Sequence, residues 1–311
     1  MNRQDTITRI TKISKVTAIV NPASGGGQAP LRELNDALAE YDSTIRITQN
    51  PNDGKRFCSD ARKDGTDLII VYGGDGSILE TCNGLVGSDV PLLILRGGTG
   101  NIIADELGLP LDVKETLALL QDGEINAMSI DLGRINDSTH FALRCGCGLE
   151  ASALAETEFE EKSEWGKLAY ASGFFKAITD QEQIDFRIWV DDAEEPIEES
   201  GVALTVANAG LLGVGSLKLA SGISMTDGLL DICLIKKASL QTVMEFFSLN
   251  GHENRSSHDL KSDSLIRVQQ ARKVRIETTP PIPFQADGDL AGETPIEIEI
   301  VHRAAWVAIP K

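Results

Sequence analysis

The chain has 311 residues, an apolar share of 41% and a formal net charge of −18. The length supports a real core and favours two domains. The acidity argues against nucleic acid, which needs clustered Lys and Arg, and against attachment to anionic lipid by charge alone. With no run of eighteen apolar residues and no signal-peptide core, a soluble, cytoplasmic protein is expected.

Residues 1–14 read as a flexible leader, with Ile7, Ile10 and Ile13 spaced by three among basic residues. From there to about residue 130, strand and helix signals alternate. Val16–Val20 is β-branched and apolar. Leu31, Leu34, Leu38 and Tyr41 share one helix face. Thr44–Thr48 reads as a strand, and Asp53 as the N-cap of a helix ending near Gly65. A strand at 67–72, a helix from Ile78, a strand at 91–95 and helices before Gly108 and Gly123 follow. Such alternation predicts parallel βαβ units. The expected α/β domain covers 15–128 and regains the chain at 298–311, where the apolar run Trp306–Ile309 packs back on it. Ligands in such sheets sit beyond the carboxyl ends of the strands, where three loops lie: 21–27, 73–77 and 96–101.

The texture changes after residue 130. Ser129–Ile135 and His140–Cys147 flank a hairpin signal at Asn136-Asp137-Ser138. Short strands around 186–190, 202–207, 230–235, 266–268 and 274–277 make 129–297 a β-rich second domain. Helical segments are expected near 149–179 and 239–249. Cys58, Cys82, Cys145, Cys147 and Cys233 are scattered and odd in number, the pattern of reduced thiols. Cys145 and Cys147 lack zinc-ribbon spacing and read as strand thiols. His140, His252, His258 and His302 lie in unrelated contexts, so no hydrolase triad is predicted.

Four stretches could carry chemistry. Asn21-Pro22-Ala23-Ser24-Gly25-Gly26-Gly27 is either a backbone phosphate cradle or a flexible strand-to-helix turn. It lacks the Lys-Ser or Lys-Thr of the common P-loop and the G-x-G-x-x-G of a dinucleotide fold. At 73–84, Gly73, Gly74 and Gly76 allow close approach to the main chain. The following helix offers amides to an anion, and Asp75 could hold Mg²⁺. Ser77 and Glu80 also read as a capping box. In Arg96-Gly97-Gly98-Thr99-Gly100-Asn101, Thr99 or Asn101 either caps the helix near Ile102 or contacts phosphate or ribose, with Asp105 supporting a metal. Late in the chain, Asp287-Gly288-Asp289 is either a hairpin turn or a pair of acids, one deprotonating an alcohol and the other binding Mg²⁺. Asp227-Gly228 has the same two readings.

Taken in order, Asn21–Gly25, Gly73-Gly74-Asp75-Gly76-Ser77 with Glu80, Asn83 and Gly84, then Gly98-Thr99-Gly100-Asn101, then Asp287-Gly288-Asp289 resemble the diacylglycerol kinase catalytic-domain family. Gly148-Leu149-Glu150 and Gly166–Tyr170 also look like its second-domain segments. The resemblance implies an α/β nucleotide-binding domain plus a second, β-rich sandwich domain. It implies transfer of the ATP γ-phosphoryl group to a lipid hydroxyl, of diacylglycerol or sphingoid type, with ATP and Mg²⁺ as cofactors. By that likeness Asn21, Ser24, Gly25 and Thr48 line the nucleotide. Gly73, Gly74, Asp75, Gly76, Ser77 and Glu80 hold phosphates and metal, and Thr99 and Asn101 complete the pocket. Asp75, Asp105, Asp227 and Asp287 form the implied metal set, and Asp289, Asp75 and Asp287 the catalytic one. The family usually carries Glu as the base where this chain has Asp289, and Thr where it has Ser77. The expected partners are a lipid at a membrane surface, met by reversible peripheral contact, and a second copy of the chain as a homodimer. The competing readings are an NAD or sugar kinase of the same superfamily and a nucleotide- or lipid-binding regulator with weakened catalysis.

Overall fold

The structure, a computed structural model, describes residues 7–26, 29–120, 124–148, 182–213, 217–237, 239, 241–242 and 264–310. The chain divides into two compact units, Met1–Asp131 with His302–Lys311, and Leu132–Val301. Both divisions fall inside long strands, Glu124–Ile135 and Ile296–Ile309.

In chain order the first unit contains β1 (Ile7–Thr11), β2 (Lys15–Val20), α1 (Leu31–Ala37), β3 (Asp42–Ile47), α2 (Asp53–Lys63), β4 (Leu68–Gly73), α3 (Asp75–Leu85), β5 (Pro91–Arg96), α4 (Ile102–Glu106), α5 (Val113–Ala118) and the start of β6 (Glu124–Ile135). β5, β4, β2 and β3 lie side by side and pair in parallel. The last strand of the chain returns beside β5, also parallel, with Trp306 opposite Pro91. β4 is buried along its whole length, as expected of a parallel strand covered on both faces. On one face Val16, Ala18, Ile70 and Leu93 pack against Leu34 and Leu38 from the α1 segment and Leu117 from α5. Phe57, Cys58, Ile78 and Cys82 of α2 and α3 are buried as well.

The chain leaves neighbouring strands β2 and β4 toward opposite edges of the sheet, to β3 and to β5. That divergence opens a crevice at their carboxyl ends. The flexible leader expected over 1–14 is corrected in its described part. Ile7–Thr11 pairs antiparallel with Glu124–Met128, and Ile13 is buried. Two helix starts also move: α3 begins at Asp75 rather than Ile78, and Asn52, at φ 66°, precedes α2 where Asp53 was expected to cap it.

The second unit holds the rest of β6, then β7 (Thr139–Phe141), β8 (Arg144–Cys147), β9 (Ile184–Val190), β10 (Ile197–Gly201), β11 (Ala203–Ala207), β12 (Leu230–Ile235), β13 (Ile266–Ala271), β14 (Lys273–Thr278), β15 (Pro283–Ala286), β16 (Asp289–Glu293) and the start of β17 (Ile296–Ile309). One sheet runs β13-β12-β11-β8-β15-β16. The opposing layer pairs β10, β9, β14 and β17 antiparallel. Between them lies a core that includes Phe186, Ile188, Val274 and Ile276 from one layer and Leu204, Val206, Ile232 and Phe284 from the other. This is a β-sandwich. The β6–β7 hairpin turns at Asn136 and Asp137, both at positive φ, as the Asn-Asp signal predicts. The helices expected near 149–179 and 239–249 fall almost wholly outside the described residues. No described helix is long and apolar enough to cross a membrane.

Candidate functional site

Three loops meet beyond the carboxyl ends of β2, β4 and β5, and most of their glycines serve that meeting. A Cβ on Gly25, at φ 70°, would stand 2.1 Å from the Gly97 carbonyl oxygen; one on Gly98 would stand 2.5 Å from Gly74 Cα. On Gly97 it would lie 2.8 Å from the Tyr72 ring, and on Gly73 2.4 Å from Ser77 Cβ. These backbones approach one another only because side chains are missing. Gly76 differs: a Cβ there would meet nothing described within 4 Å, and Gly76 lines an open cleft.

Hydrogen bonds fix the loops. The Asn21 amide donates to the Tyr72 carbonyl at 2.9 Å, and its side-chain Nδ2 donates to Ser77 Oγ at 2.9 Å. Gly74 N–H donates to Ser24 Oγ at 2.8 Å, and Gly97 N–H to the Gly73 carbonyl at 2.9 Å. Asn101, at φ 50°, folds back on its own loop: Oδ1 accepts from Gly98 N–H at 2.9 Å and Nδ2 donates to the Gly98 carbonyl at 2.6 Å.

Helix α3 gives its acids to its neighbours. Glu80 accepts from Asn52 N–H at 2.9 Å and Gly54 N–H at 3.1 Å, at the amino end of α2. Asp75 accepts from Ile102 N–H at 3.1 Å through Oδ2 and from Ile103 N–H at 2.9 Å through Oδ1, at the amino end of α4. The capping box read from Ser77 and Glu80 is therefore corrected, and so is the expectation that Asn101 or Thr99 caps α4. No described side chain caps α3, whose N-cap is Gly74 in extended conformation. Its first-turn amides are left for another acceptor, and the aligned peptide dipoles favour an anionic one.

The cleft beside that terminus has a volume of about 470 Å³, within the usual range for a small-molecule site. Of the predicted nucleotide set, Asn21, Ser24, Thr48, Gly74, Gly76, Ser77 and Glu80 line it. Gly25, Gly73 and Asp75 are not among its lining residues, nor are exposed Thr99 and self-bonded Asn101. Sequence reasoning missed Gln49, Asn50 and Pro51. Their one signal was position, directly after the β3 strand.

The acids of the expected metal set are tied elsewhere. Asp105 pairs with Arg96, whose guanidinium also donates to the Pro110 carbonyl at 2.9 Å and the Leu109 carbonyl at 2.5 Å. In the second unit, Asp287 and Gly288, at φ 48° and 95°, form the two-residue turn between β15 and β16. The Asp287 carboxylate accepts from the amides of Ala142 at 2.6 Å, Leu143 at 3.0 Å and Arg144 at 2.9 Å. Burial pushes its carboxyl up, against the pull of those amides. Asp227 accepts from Leu229 N–H at 3.0 Å in a local turn. Among the described residues no three His, Cys, Asp or Glu side chains stand close enough to share a metal. Asp289 is exposed at the start of β16. The five cysteines are free and buried. His302 Nδ1 lies 2.8 Å from buried Asp131, a pair the sequence did not announce.

The first unit thus carries a cleft at the carboxyl ends of its parallel strands, and the second is a β-sandwich. Residues 15–135 match the diacylglycerol kinase catalytic domain, and residues 145–309 match the YegS C-terminal NAD kinase beta sandwich-like domain. A diacylglycerol kinase of Mycobacterium tuberculosis is 30% identical, over 96% of this chain and 96% of its own length. A Streptococcus pneumoniae protein provisionally named a lipid kinase is 26% identical over 95% of this chain and 98% of its own. A Bacillus anthracis crystal structure, provisionally described as a diacylglycerol kinase, is 26% identical with a TM-score of 0.76, covering 97% of this chain and 99% of that one. The chain belongs to the diacylglycerol kinase catalytic-domain family, a family of lipid kinases.

Proposed function

We propose that the chain transfers the γ-phosphoryl group of ATP to a lipid hydroxyl, of diacylglycerol or sphingoid type, at a membrane surface. One observation carries the nucleotide half of this reading: the amino terminus of α3, without a side-chain cap, opens on the cleft that Gly76 leaves clear. Backbone amides there, with the hydroxyls of Ser24 and Ser77, would hold the phosphates. The lipid oxygen bonds to the γ-phosphorus as the bond from that phosphorus to the β–γ bridging oxygen breaks, and ADP leaves. Asp289 takes the hydroxyl proton as the new bond forms. Mg²⁺ would come with the nucleotide and neutralise phosphate charge.

Gly76→Ala tests this. A Cβ at Gly76 would meet nothing described within 4 Å, and alanine is the better helix former by up to about 1 kcal/mol, so the variant should be at least as stable as wild type. Its methyl would crowd the phosphates, so the KM for ATP should rise about tenfold or more, in line with the cost of crowding a packed contact. The assay is transfer of labelled γ-phosphate to diacylglycerol, monoacylglycerol, sphingoid base, ceramide and undecaprenol, with NAD as a further acceptor. No transfer to any lipid, or an unchanged KM in Gly76→Ala, would refute the reading.

A further inference from the structure

Leu111 is the most exposed large hydrophobic among the described residues, at 78%, and the turn that carries it is fixed on both sides. Helix α4 stops at Gly108, which has φ 65°. Gly108 N–H donates to the Asp105 carbonyl at 3.0 Å and Leu109 N–H to the Ala104 carbonyl at 2.9 Å, the paired bonds of a Schellman stop. Leu109 is buried. Its carbonyl accepts from Arg96 at 2.5 Å and that of Pro110 at 2.9 Å, while the same guanidinium pairs with Asp105. Directly after Leu111, Asp112 Oδ1 accepts from Lys114 N–H at 2.8 Å and Glu115 N–H at 3.1 Å and so caps α5. An exposed leucine alone says little. Here a guanidinium side chain only 8% exposed and two helix ends hold one leucine out in water. Arg96 is also the last residue of β5, and the next residue, Gly97, bonds to Gly73. The tip therefore stands at the same end of the sheet as the cleft.

We propose that Leu111 is a lipid-surface contact: its side chain enters the apolar layer of a neutral bilayer and holds the first unit against it. The inference rests on the lipid acceptor of the reading above and adds the residue and the force. A chain of net charge −18 is not drawn to anionic head groups by charge. Its hold on a lipid surface must then come from burying apolar area. The acids of the turn do not oppose this, because Asp105 pairs with Arg96 and Asp112 faces two amides. Fixing the turn in advance also matters, since a tip that is already ordered loses little conformational freedom on entering the bilayer. One leucine gives a weak and reversible hold.

The test uses the full chain and phosphatidylcholine vesicles, with and without diacylglycerol. Leu111→Trp reports entry directly: its emission, taken as the difference from wild type with its three tryptophans, should shift to the blue on vesicles and be quenched by brominated acyl chains. Leu111→Ser should bind vesicles about tenfold more weakly, the worth of burying most of one leucine side chain. Its KM for vesicle diacylglycerol should rise by about the same factor, with kcat and KM for ATP within about twofold of wild type. Leu111→Met should restore the wild-type KM, and all three variants should melt with wild type because the side chain is exposed. Vesicle binding should resist added salt, whereas a hold on charged head groups would fade. A Leu111→Trp spectrum that vesicles leave unchanged, or a Leu111→Ser enzyme with the wild-type KM for vesicle lipid, overturns the inference and leaves the kinase reading standing. So does self-association that Leu111→Ser abolishes in a chain that binds no vesicle, which would make a second copy the occupant. A wild type that phosphorylates no lipid overturns the kinase reading, and the tryptophan signal, which needs no turnover, then decides the contact by itself.

Discussion

Replacing Asp75 by Asn is the usual way to remove a charge and keep a shape, yet here it should destabilise the first unit. Each carboxylate oxygen of Asp75 serves a different amide at the start of α4, Oδ2 for Ile102 and Oδ1 for Ile103. A carboxamide has one oxygen. It can satisfy one amide, and its NH₂ must then face the other donor. An unsatisfied, partly buried amide costs about 1–3 kcal/mol, and loss of a negative charge at a helix amino terminus about 0.3–1 kcal/mol more. α4 has only five residues, so its own hydrogen bonds do little to offset this. The expected loss is about 2 kcal/mol, or about 5 °C in melting temperature for a unit of this size. Urea and thermal melts of wild type, Asp75→Asn and Asp75→Ala measure it, and amide exchange at Ile102 and Ile103 localises it. Asp75→Ala, which leaves both amides without an acceptor, should be at least as damaging as Asp75→Asn. Should Asp75→Asn melt within about 1 °C of wild type with unchanged exchange at both amides, the capping role would be wrong, and any loss of turnover would belong to the nucleotide alone.

Asp289→Asn should lower turnover by about 10²- to 10⁴-fold, the range for a general base, with an unchanged melting temperature because the side chain is exposed; full turnover in a labelled-phosphate assay would remove Asp289 from the mechanism. Gly97→Ala should destabilise by about 1–3 kcal/mol through overpacking, since its Cβ would lie 2.8 Å from the Tyr72 ring and 3.1 Å from the Gly73 nitrogen; a melt equal to wild type would show that these loops give way. Arg56 first, then the amides of Gln49 and Asn50, hold the Asp53 carboxyl at about 2, below its ordinary 3.8. A depressed carboxyl stabilises the folded chain fully above its unfolded value and loses that contribution as pH falls through the folded one. The acid limb of stability against pH should therefore flatten between 3.8 and about 2 in Asp53→Asn, and an identical limb in the variant would contradict the pairing.

Local chemistry was legible in the sequence, and distant partners were not. The run at 67–72 announces β4 because a parallel strand covered on both faces must be apolar throughout. The glycine loops announce a close meeting of backbones because missing side chains are a property of the residue itself. Ser77 and Glu80 stand at capping-box spacing, yet Glu80 reaches Asn52 and Gly54 instead. A local rule lost to a tertiary contact that no spacing encodes. Asp287 repeats the lesson: the turn at Asp287-Gly288 was foreseen as one of two readings, but its grip on the amides of 142–144 was not. β1 was taken for a leader because its partner lies at Glu124–Met128. β10 and β16 carry the polar sequences IEESG and DLAGE, too weak in alternation to read as strands.

The arrangement also answers an electrostatic difficulty. With 47 acidic residues against 29 basic ones, this chain is a poor general attractor of a polyanion. Around the three loops, however, the acids are not bare. Asp75 and Glu80 each face two backbone amides, Asp53 faces two amides and Arg56, and Asp105 faces Arg96. The same pairings that bind α2, α3 and α4 together partly neutralise the charge a phosphate would meet. α3 itself has no side-chain cap because its N-cap is Gly74, while its acids serve the neighbouring termini. An anion in the cleft would then meet fixed amide dipoles and hydroxyls, with no Lys or Arg among the described residues of the lining, leaving the remaining charge to a cation that arrives with the anion.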